Sequence, residues 1–295
     1  MNHEPGATGD QQQLGEKARL FRRLHDGPGL LVLPNIWDPL GARLLQSLGY
    51  PAVATASAAV AYSLGYDDGE RITFNAMLAV IRRIADSVHV PLTADMERGY
   101  ADSPAGVADN ARRVLAAGAV GINIEDSHSE GGPLRPTDQQ CARIAAIRAI
   151  TRETGIHMVI NARTDVFITD SDATLQERIT EAITRGKAYM AAGADCLYPI
   201  GAGDKDTVSR IVAGTGSPVN IYARQGAASM SDLEAVGVRR LSLGPNLLRA
   251  SVQAMRQVAI QLRGQGGYDT FGEGVITSDE IRKIVRSHKM PERKD

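Results

Sequence analysis

Residues 92–100 read Leu-Thr-Ala-Asp-Met-Glu-Arg-Gly-Tyr, and this stretch decides the fold. An apolar run from Val90 to Ala94 ends in two carboxylates one residue apart, Asp95 and Glu97, followed by Arg98, Gly99 and Tyr100. The pattern is that of a buried parallel strand whose C-terminal end delivers acids into a loop, where α/β barrels and open α/β sheets put their chemistry. Side chains alternate along a strand, so the two carboxylates share a face. Hard oxygen ligands projecting together suit Mg²⁺ or Mn²⁺; Mg²⁺ takes one or two protein carboxylates and fills its shell with water and substrate oxygens. On its own an Asp-x-Glu pair is a weak motif, and two solvated acids at a strand end give the same pattern.

Around this stretch the chain settles into a rhythm. Apolar runs recur at Leu30–Leu33, Ala52–Thr55, Leu92–Ala94, Gly121–Ile124, His157–Ala162, Cys196–Ile200, Val219–Tyr222 and Arg240–Leu243. Between most of them lie amphipathic helical patterns: Gly41–Leu48, Asn75–Ser87, Ala105–Ala117, Thr137–Thr154 and Ala173–Ala192. Several end at a glycine suited to a C-cap, Gly49, Gly118, Gly155 or Gly193. Eight strands alternating with helices predict a (β/α)₈ TIM barrel rather than an open sheet of six or seven strands. No Gly-x-Gly-x-x-Gly follows the first run, which removes the main support for a dinucleotide fold. The expected organisation is a disordered tail over 1–13, a barrel domain over 14–262 and a helical extension over 263–295, with a first helix reading from Leu14 to His25.

The formal net charge of −1, with acids and bases evenly mixed, leaves no footprint for nucleic acid or an anionic membrane, so a small ligand is expected. Two cysteines, Cys141 and Cys196, form neither a disulfide framework nor a CxxC motif, which fits a reducing, cytoplasmic compartment. No apolar run is long enough for a membrane span, and the N-terminus lacks an apolar signal region.

A barrel places all strand ends on one rim. The first run ends Pro34-Asn35-Ile36-Trp37-Asp38. The second leads through Thr55-Ala56-Ser57 towards Asp67-Asp68, and the third gives Asp95 and Glu97. The fourth ends Asn123-Ile124-Glu125-Asp126-Ser127-His128, the fifth Asn161-Ala162-Arg163-Thr164-Asp165, and the seventh carries Asn220 and Tyr222. So many acids at one mouth repel unless a cation neutralises them. Arg163 is then the clamp for a substrate carboxylate, or a structural ion-pair partner of a neighbouring acid. Glu125 and Asp126 point to opposite faces, so one of them faces the axis. The connection Ser127–Pro136 reads as a lid or an ordinary loop, and His128 is the one histidine placed beside the site, a candidate acid or base. None of the six lysines falls in a predicted strand, which argues against a Schiff-base aldolase.

The segments LPNIWDPLGARLL, TASAAVAYSLGYDDGE, TADMERGY, GINIEDS and INARTD, in this order and spacing, resemble the isocitrate lyase and phosphoenolpyruvate mutase superfamily over about residues 30–250. The resemblance implies a (β/α)₈ barrel with its last helix swapped between subunits of a dimer or tetramer. It also implies Mg²⁺-dependent chemistry at a C–C or C–P bond next to a 2-oxo acid. It assigns Asp95, Glu97, Asp68 and Glu125 to the metal and its water, and Arg163 to the substrate carboxylate. Thr55, Ala56 and Ser57 fall in the segment that grips the oxo acid, and Asn220 is expected as a further substrate contact. The departures are specific: the lid SHSEGGPLRP carries neither the lyase Cys motif nor the Lys-x-Asn-Ser of the phosphonomutases, and Ile200 stands where methylisocitrate lyases have Glu.

The expected activity is a Mg²⁺-dependent lyase acting on a small 2-oxo or 2-hydroxy (di)carboxylate through an enolate, with Glu125, Arg163 and His128 as catalytic residues. The alternatives are phosphonate C–P chemistry on the same scaffold and a barrel that binds an oxo acid without turnover.

Overall fold

The computed structural model describes residues 6–129, 132–264, 267–268, 271 and 274–287. Nine strands alternate with helices: β1 Leu31–Leu33, β2 Asn35–Ile36, β3 Val53–Thr55, β4 Leu92–Asp95, β5 Gly121–Glu125, β6 Val159–Thr164, β7 Cys196–Pro199, β8 Asn220–Tyr222 and β9 Arg240–Ser242. All pairings are parallel. β1 and β2 are one barrel strand interrupted at Pro34, which has no N–H for a ladder. Before the break the strand pairs with β9, after it with β3. A parallel bridge from Leu197 to Val219 joins β7 to β8, so the ring closes as the expected (β/α)₈ barrel. Asn35 stitches the seam: its Nδ2 donates to Thr55 O at 2.7 Å, and its Oδ1 accepts from the amides of Leu243 and Gly244 at 2.7 and 2.9 Å.

The strands are short because only a few residues per strand fit between the barrel's two rims, and each is almost wholly buried. The helices that matter below are α1 Gly6–Asp26, α2 Pro39–Ser47, α3 Ser57–Ser63, α4 Phe74–Ala85, α5 Pro104–Ala116, α6 Thr137–Thr154 and α7 Leu175–Ala192. They are followed by α8 Lys205–Thr215, α9 Met230–Ala235, α10 Asn246–Arg263 and α11 Ser278–Arg286. α6 spans the predicted residues and stops at Gly155, φ 71°, a left-handed C-cap that costs glycine nothing.

α1 departs from expectation. It begins at Gly6, so residues 6–13 are helical and not a disordered tail; residues 1–5 of that tail lie outside the described residues. GATGDQQQ has almost no apolar periodicity, yet three glutamines favour the helix, and a pattern-based reading starts only at Leu14. α1 plugs the N-terminal end of the barrel with Phe21 and His25, both buried. The strand-opening Gly121 makes room for this plug, since a Cβ there would lie 2.6 Å from Phe21 Cε1. The expected 263–295 extension includes α11; residues 265–266, 269–270, 272–273 and 288–295 lie outside the described residues. No helix among the described residues is long and apolar enough to cross a membrane.

Candidate active site

A cavity of about 280 Å³ opens at the C-terminal mouth of the barrel, walled by Ala56, Ser57, Asp68, Asp95, Glu97, Arg98, Glu125 and Arg163, with Tyr198, Ile200 and Tyr222 opposite. Asp95 ends β4 and is gripped on both oxygens. Oδ2 accepts from the amide and hydroxyl of Ser57 at 3.1 and 2.9 Å, and Oδ1 accepts from Asn123 Nδ2 at 3.3 Å. Its amide donates to Thr55 Oγ1 at 2.8 Å. Thr55 and Asn220 are therefore corrected as substrate contacts. Both are buried below the cavity wall, Thr55 positioning Asp95 and Asn220 donating to Ser242 Oγ at 3.2 Å. Ala56 and Ser57 do line the cavity, with the Ser57 hydroxyl committed to Asp95. The strand-end reading of Thr55-Ala56-Ser57 missed that Ser57 opens helix α3.

Glu97 is 4% exposed and has φ 49°, in the left-handed region that non-glycine residues avoid. The other two non-glycine residues of this kind among the described residues, Glu70 and Tyr100, are its hydrogen-bond partners: Glu70 N donates to Glu97 Oε2 at 2.6 Å, and Tyr100 OH to Oε1 at 3.3 Å. Tyr100 N closes the triangle on Glu70 Oε1 at 2.7 Å. Such conformations cost about 1–3 kcal/mol each and persist only where surrounding bonds enforce them, typically at functional sites. Burial, reinforced by Asp68 and Asp95, pushes the Glu97 carboxyl up to about 8.

Glu125 ends β5 and pairs through Oε2 with Arg163 Nη1 at 2.8 Å and through Oε1 with Arg98 Nη1 at 3.5 Å. Burial still raises its carboxyl, against the pull of Arg163 and helped by Asp165, Asp95 and Glu97. Arg163 forms the structural ion pair that was one of its two expected roles. It lines the cavity, and its Nε and Nη2 are held by Asp165 at 2.6 and 3.2 Å. Asp126 faces away from the axis, as the alternation requires: it accepts from Tyr189 OH at 2.7 Å and pairs with Arg185 at 3.2 Å.

One further expectation needs correction. His128 is not brought to the cavity. It follows an antiparallel bridge between Ser127 and Leu134, its amide donates to Pro133 O at 3.0 Å, and its side chain is exposed, because the bridge folds the connection back on itself. Residues 130–131 of the expected lid lie outside the described residues. The four carboxylates Asp95, Glu97, Asp68 and Glu125 share the wall, yet among the described residues no three His, Cys, Asp or Glu side chains converge closely enough to enclose an ion. The reason is local compensation, since Ser57 and Asn123 hold Asp95 while two guanidinium groups hold Glu125.

Sequence reasoning left Arg98, Glu70, Tyr198 and Ser242 without roles. Arg98 ties the loop after α3 to the strand ends, donating to Gly69 O at 2.9 Å and pairing with Glu70 at 3.4 Å. Its signal was its place inside the Asp-Met-Glu-Arg motif. Tyr198 and Ser242 were signalled only by the inward phase of their strands.

A family model described as phosphoenolpyruvate phosphomutase matches residues 21–263. An uncharacterized Mycobacterium tuberculosis protein is 32% identical over 81% of this chain and 87% of its own length. An oxaloacetate decarboxylase from Rhodopseudomonas palustris is 27% identical over 92% of this chain and 93% of its own. The crystal structure of a putative lyase/mutase from Burkholderia cenocepacia J2315 superposes with a TM-score of 0.85, at 33% identity, covering 92% of this chain and 96% of that one. With its barrel, its acidic rim and a family match over most of its length, the chain belongs to the phosphoenolpyruvate phosphomutase family, within the superfamily of isocitrate lyase and phosphoenolpyruvate mutase.

Proposed function

We propose that this protein is a Mg²⁺- or Mn²⁺-dependent lyase that cleaves or decarboxylates a small 2-oxo or 2-hydroxy (di)carboxylate through an enolate. The observation that carries the reading is the cavity wall itself: Asp68, Asp95, Glu97 and Glu125 line one small concavity together with Arg98 and Arg163 at the C-terminal end of the barrel. The donor set fits a hard divalent cation. Burial, reinforced by Asp68 and Asp95, raises Glu97, and a wall on which no three such ligands converge among the described residues suits an ion that keeps much of its water. Asp95 and Glu97 would hold that ion, with Asp68 and Glu125 reaching its water; bound there, it supplies Lewis-acid stabilisation of negative charge developing on the substrate's oxo oxygen.

The chain's own residues do the rest. Ser57 and Asn123 fix the Asp95 carboxylate before substrate arrives, so no reorganisation is needed at the moment of reaction. Arg163, braced by Asp165 and Glu125, offers a fixed positive charge to a substrate carboxylate. With His128 outside the cavity, proton transfer falls to the wall, where Glu125 keeps its proton to unusually high pH and Tyr198 and Tyr222 lie among the lining residues. Cys196, buried in the barrel and pushed up to about 12 by that burial, does not serve as a thiolate. The Rhodopseudomonas palustris relative named oxaloacetate decarboxylase supports an oxaloacetate-like substrate. The description of the family model favours a second reading, C–P bond chemistry on a phosphonate.

A panel of 2-oxo acids with Mg²⁺ decides between them. Release of CO₂ or of a keto acid supports the lyase, a rearranged phosphonate supports the second reading, and absence of any turnover overturns both. A homo-oligomer with an exchanged last helix is part of the proposal, supported by Val252, Met255, Ile260 and Leu262, which leave α10 with exposed apolar side chains. Light scattering showing a monomer would remove it. The unpaired Cys141 and Cys196 support a cytoplasmic location.

A further inference from the structure

Below the cavity floor the barrel interior is polar. Asn161 on β6, Asn220 on β8 and Arg240 on β9 are each 0% exposed, in a region that such barrels fill with branched apolar side chains. Arg240 Nη2 donates to Asn123 Oδ1 at 3.2 Å, and Asn161 Nδ2 donates to the same oxygen at 2.8 Å. A guanidinium has no acceptor, so the Asn123 carbonyl must face these two donors, and its amino group must face the other way. There it meets Asp95, donating to Oδ1 at 3.3 Å. Among the described residues no carboxylate forms an ion pair with Arg240, and its Nε and Nη1 have no hydrogen-bond partner. A buried guanidinium without an ion-pair partner is costly to keep in a fold, and a well-packed apolar side chain would serve stability better.

We propose that Arg240 is a positioning residue: through the amide of Asn123 it fixes the orientation in which the Asp95 carboxylate is presented to the cavity. The inference rests on the reading of Asp95 as the acid that faces a divalent cation. Asn161 is the second support of the same amide. The chain Arg240, Asn123, Asp95 crosses from β9 to β5 to β4, residues with no local sequence relation, and it acts on Asp95 from the side opposite Ser57. Outer partners of this type typically contribute about 10–100-fold to metal affinity.

The test is Mn²⁺ binding to the full-length protein, followed by calorimetry and by the electron paramagnetic resonance signal of free Mn²⁺, with folding checked by circular dichroism. Arg240→Lys keeps the buried charge and loses the planar fork, so it isolates orientation from Coulomb attraction. The expected result is binding weakened about 10-fold or more in Arg240→Lys, and about 3–10-fold in Asn161→Ala, which removes the other donor and serves if the first variant does not fold. In an Asp95→Ala background neither substitution should weaken binding further. If both folded variants bind Mn²⁺ within about twofold of wild type while melting earlier, Arg240 is a structural residue and the proposal is overturned. If wild type does not bind Mn²⁺, or Asp95→Ala binds it as tightly as wild type, the reading of Asp95 fails and the proposal falls with it.

Discussion

The two ends of the barrel each hold an acid largely withdrawn from solvent, Asp195 half-buried and Glu97 buried, and the acids behave in opposite ways. At the N-terminal end Asp195 accepts from Arg148 at 2.5 Å, His157 at 2.6 Å and the Ile160 amide at 2.7 Å. Burial alone would raise its carboxyl, but these donors hold it below the usual carboxylate range. At the C-terminal mouth Glu97 is buried, its neighbours include Asp68 and Asp95, and its carboxyl rises to about 8. The same residue class in the same barrel is satisfied at one end and left short of positive charge at the other. An acid fully compensated by its own chain stabilises the fold; an acid surrounded by acids costs stability until a cation arrives from outside. Backbone strain follows the same division, since Glu70, Glu97 and Tyr100 gather at the mouth.

Breaking the compensated end has the largest expected effect on stability. Asp195→Ala strands Arg148 without its carboxylate and should cost about 3–5 kcal/mol in denaturant melts, with the turnover of the remaining folded protein unchanged. A comparable fall in turnover per folded molecule would mean that the two ends are coupled. At the mouth, Asp95→Ala should leave the melting temperature in chelator nearly unchanged and abolish its rise on adding Mg²⁺ or Mn²⁺, with activity falling about 10²–10³-fold. A persisting metal-induced rise would remove Asp95 from the site.

The contrast also has a pH signature. The folded carboxyl of Glu97 titrates above its unfolded value, so its contribution is fully present in acid and is lost as pH rises towards 8. Asp195 behaves oppositely, its contribution being lost as pH falls through its depressed pKa. In chelator, stability should therefore decline from pH 5 to 8, with Glu97 contributing on the order of 2–4 kcal/mol of the decline. Glu97→Gln should flatten that slope in thermal melts, and a slope identical to wild type would exclude Glu97 as its origin. Smaller still, Arg163→Lys should weaken oxalate binding by about 1–3 kcal/mol, because Lys keeps the charge and loses the fork; equal affinity by calorimetry would make Arg163 purely a partner of Asp165 and Glu125. Smallest of all, His128→Gln and Cys141→Ser should each leave turnover within about twofold in a steady-state assay, since neither side chain lines the cavity. A large loss in either would restore a catalytic role for the lid or for a thiol.

Much of this was legible in the chain. The eight apolar runs name the barrel strands, because burial on both faces of a parallel strand leaves a continuous apolar signature. Asp95, Glu125 and Arg163 were legible as rim residues because a barrel puts every strand end at one mouth, and the opposite facing of Glu125 and Asp126 followed from alternation alone. Other features had no local signature. His128 follows Glu125 and Asp126 in sequence, yet a bridge between Ser127 and Leu134 turns it to solvent. Thr55 and Asn220 belong to the right strands but lie below the wall. Glu70 and Arg98 were unassigned because their roles depend on a loop 27 and 29 residues away closing over the strand ends.

The sequence by itself determined the barrel, the family and the acidic rim, since these follow from periodicity, spacing and local motifs. Only the tertiary structure decided which acids are compensated by donors of their own chain and which are pushed to hold their protons to unusually high pH. That depends on which side chains meet across strands far apart in the chain: Arg148 with Asp195, Arg163 with Glu125, Arg240 with Asn123 and through it Asp95. Period-two alternation fixes the face a residue points to, while the partner it finds on that face is set by strand register and ring closure, which no local stretch encodes.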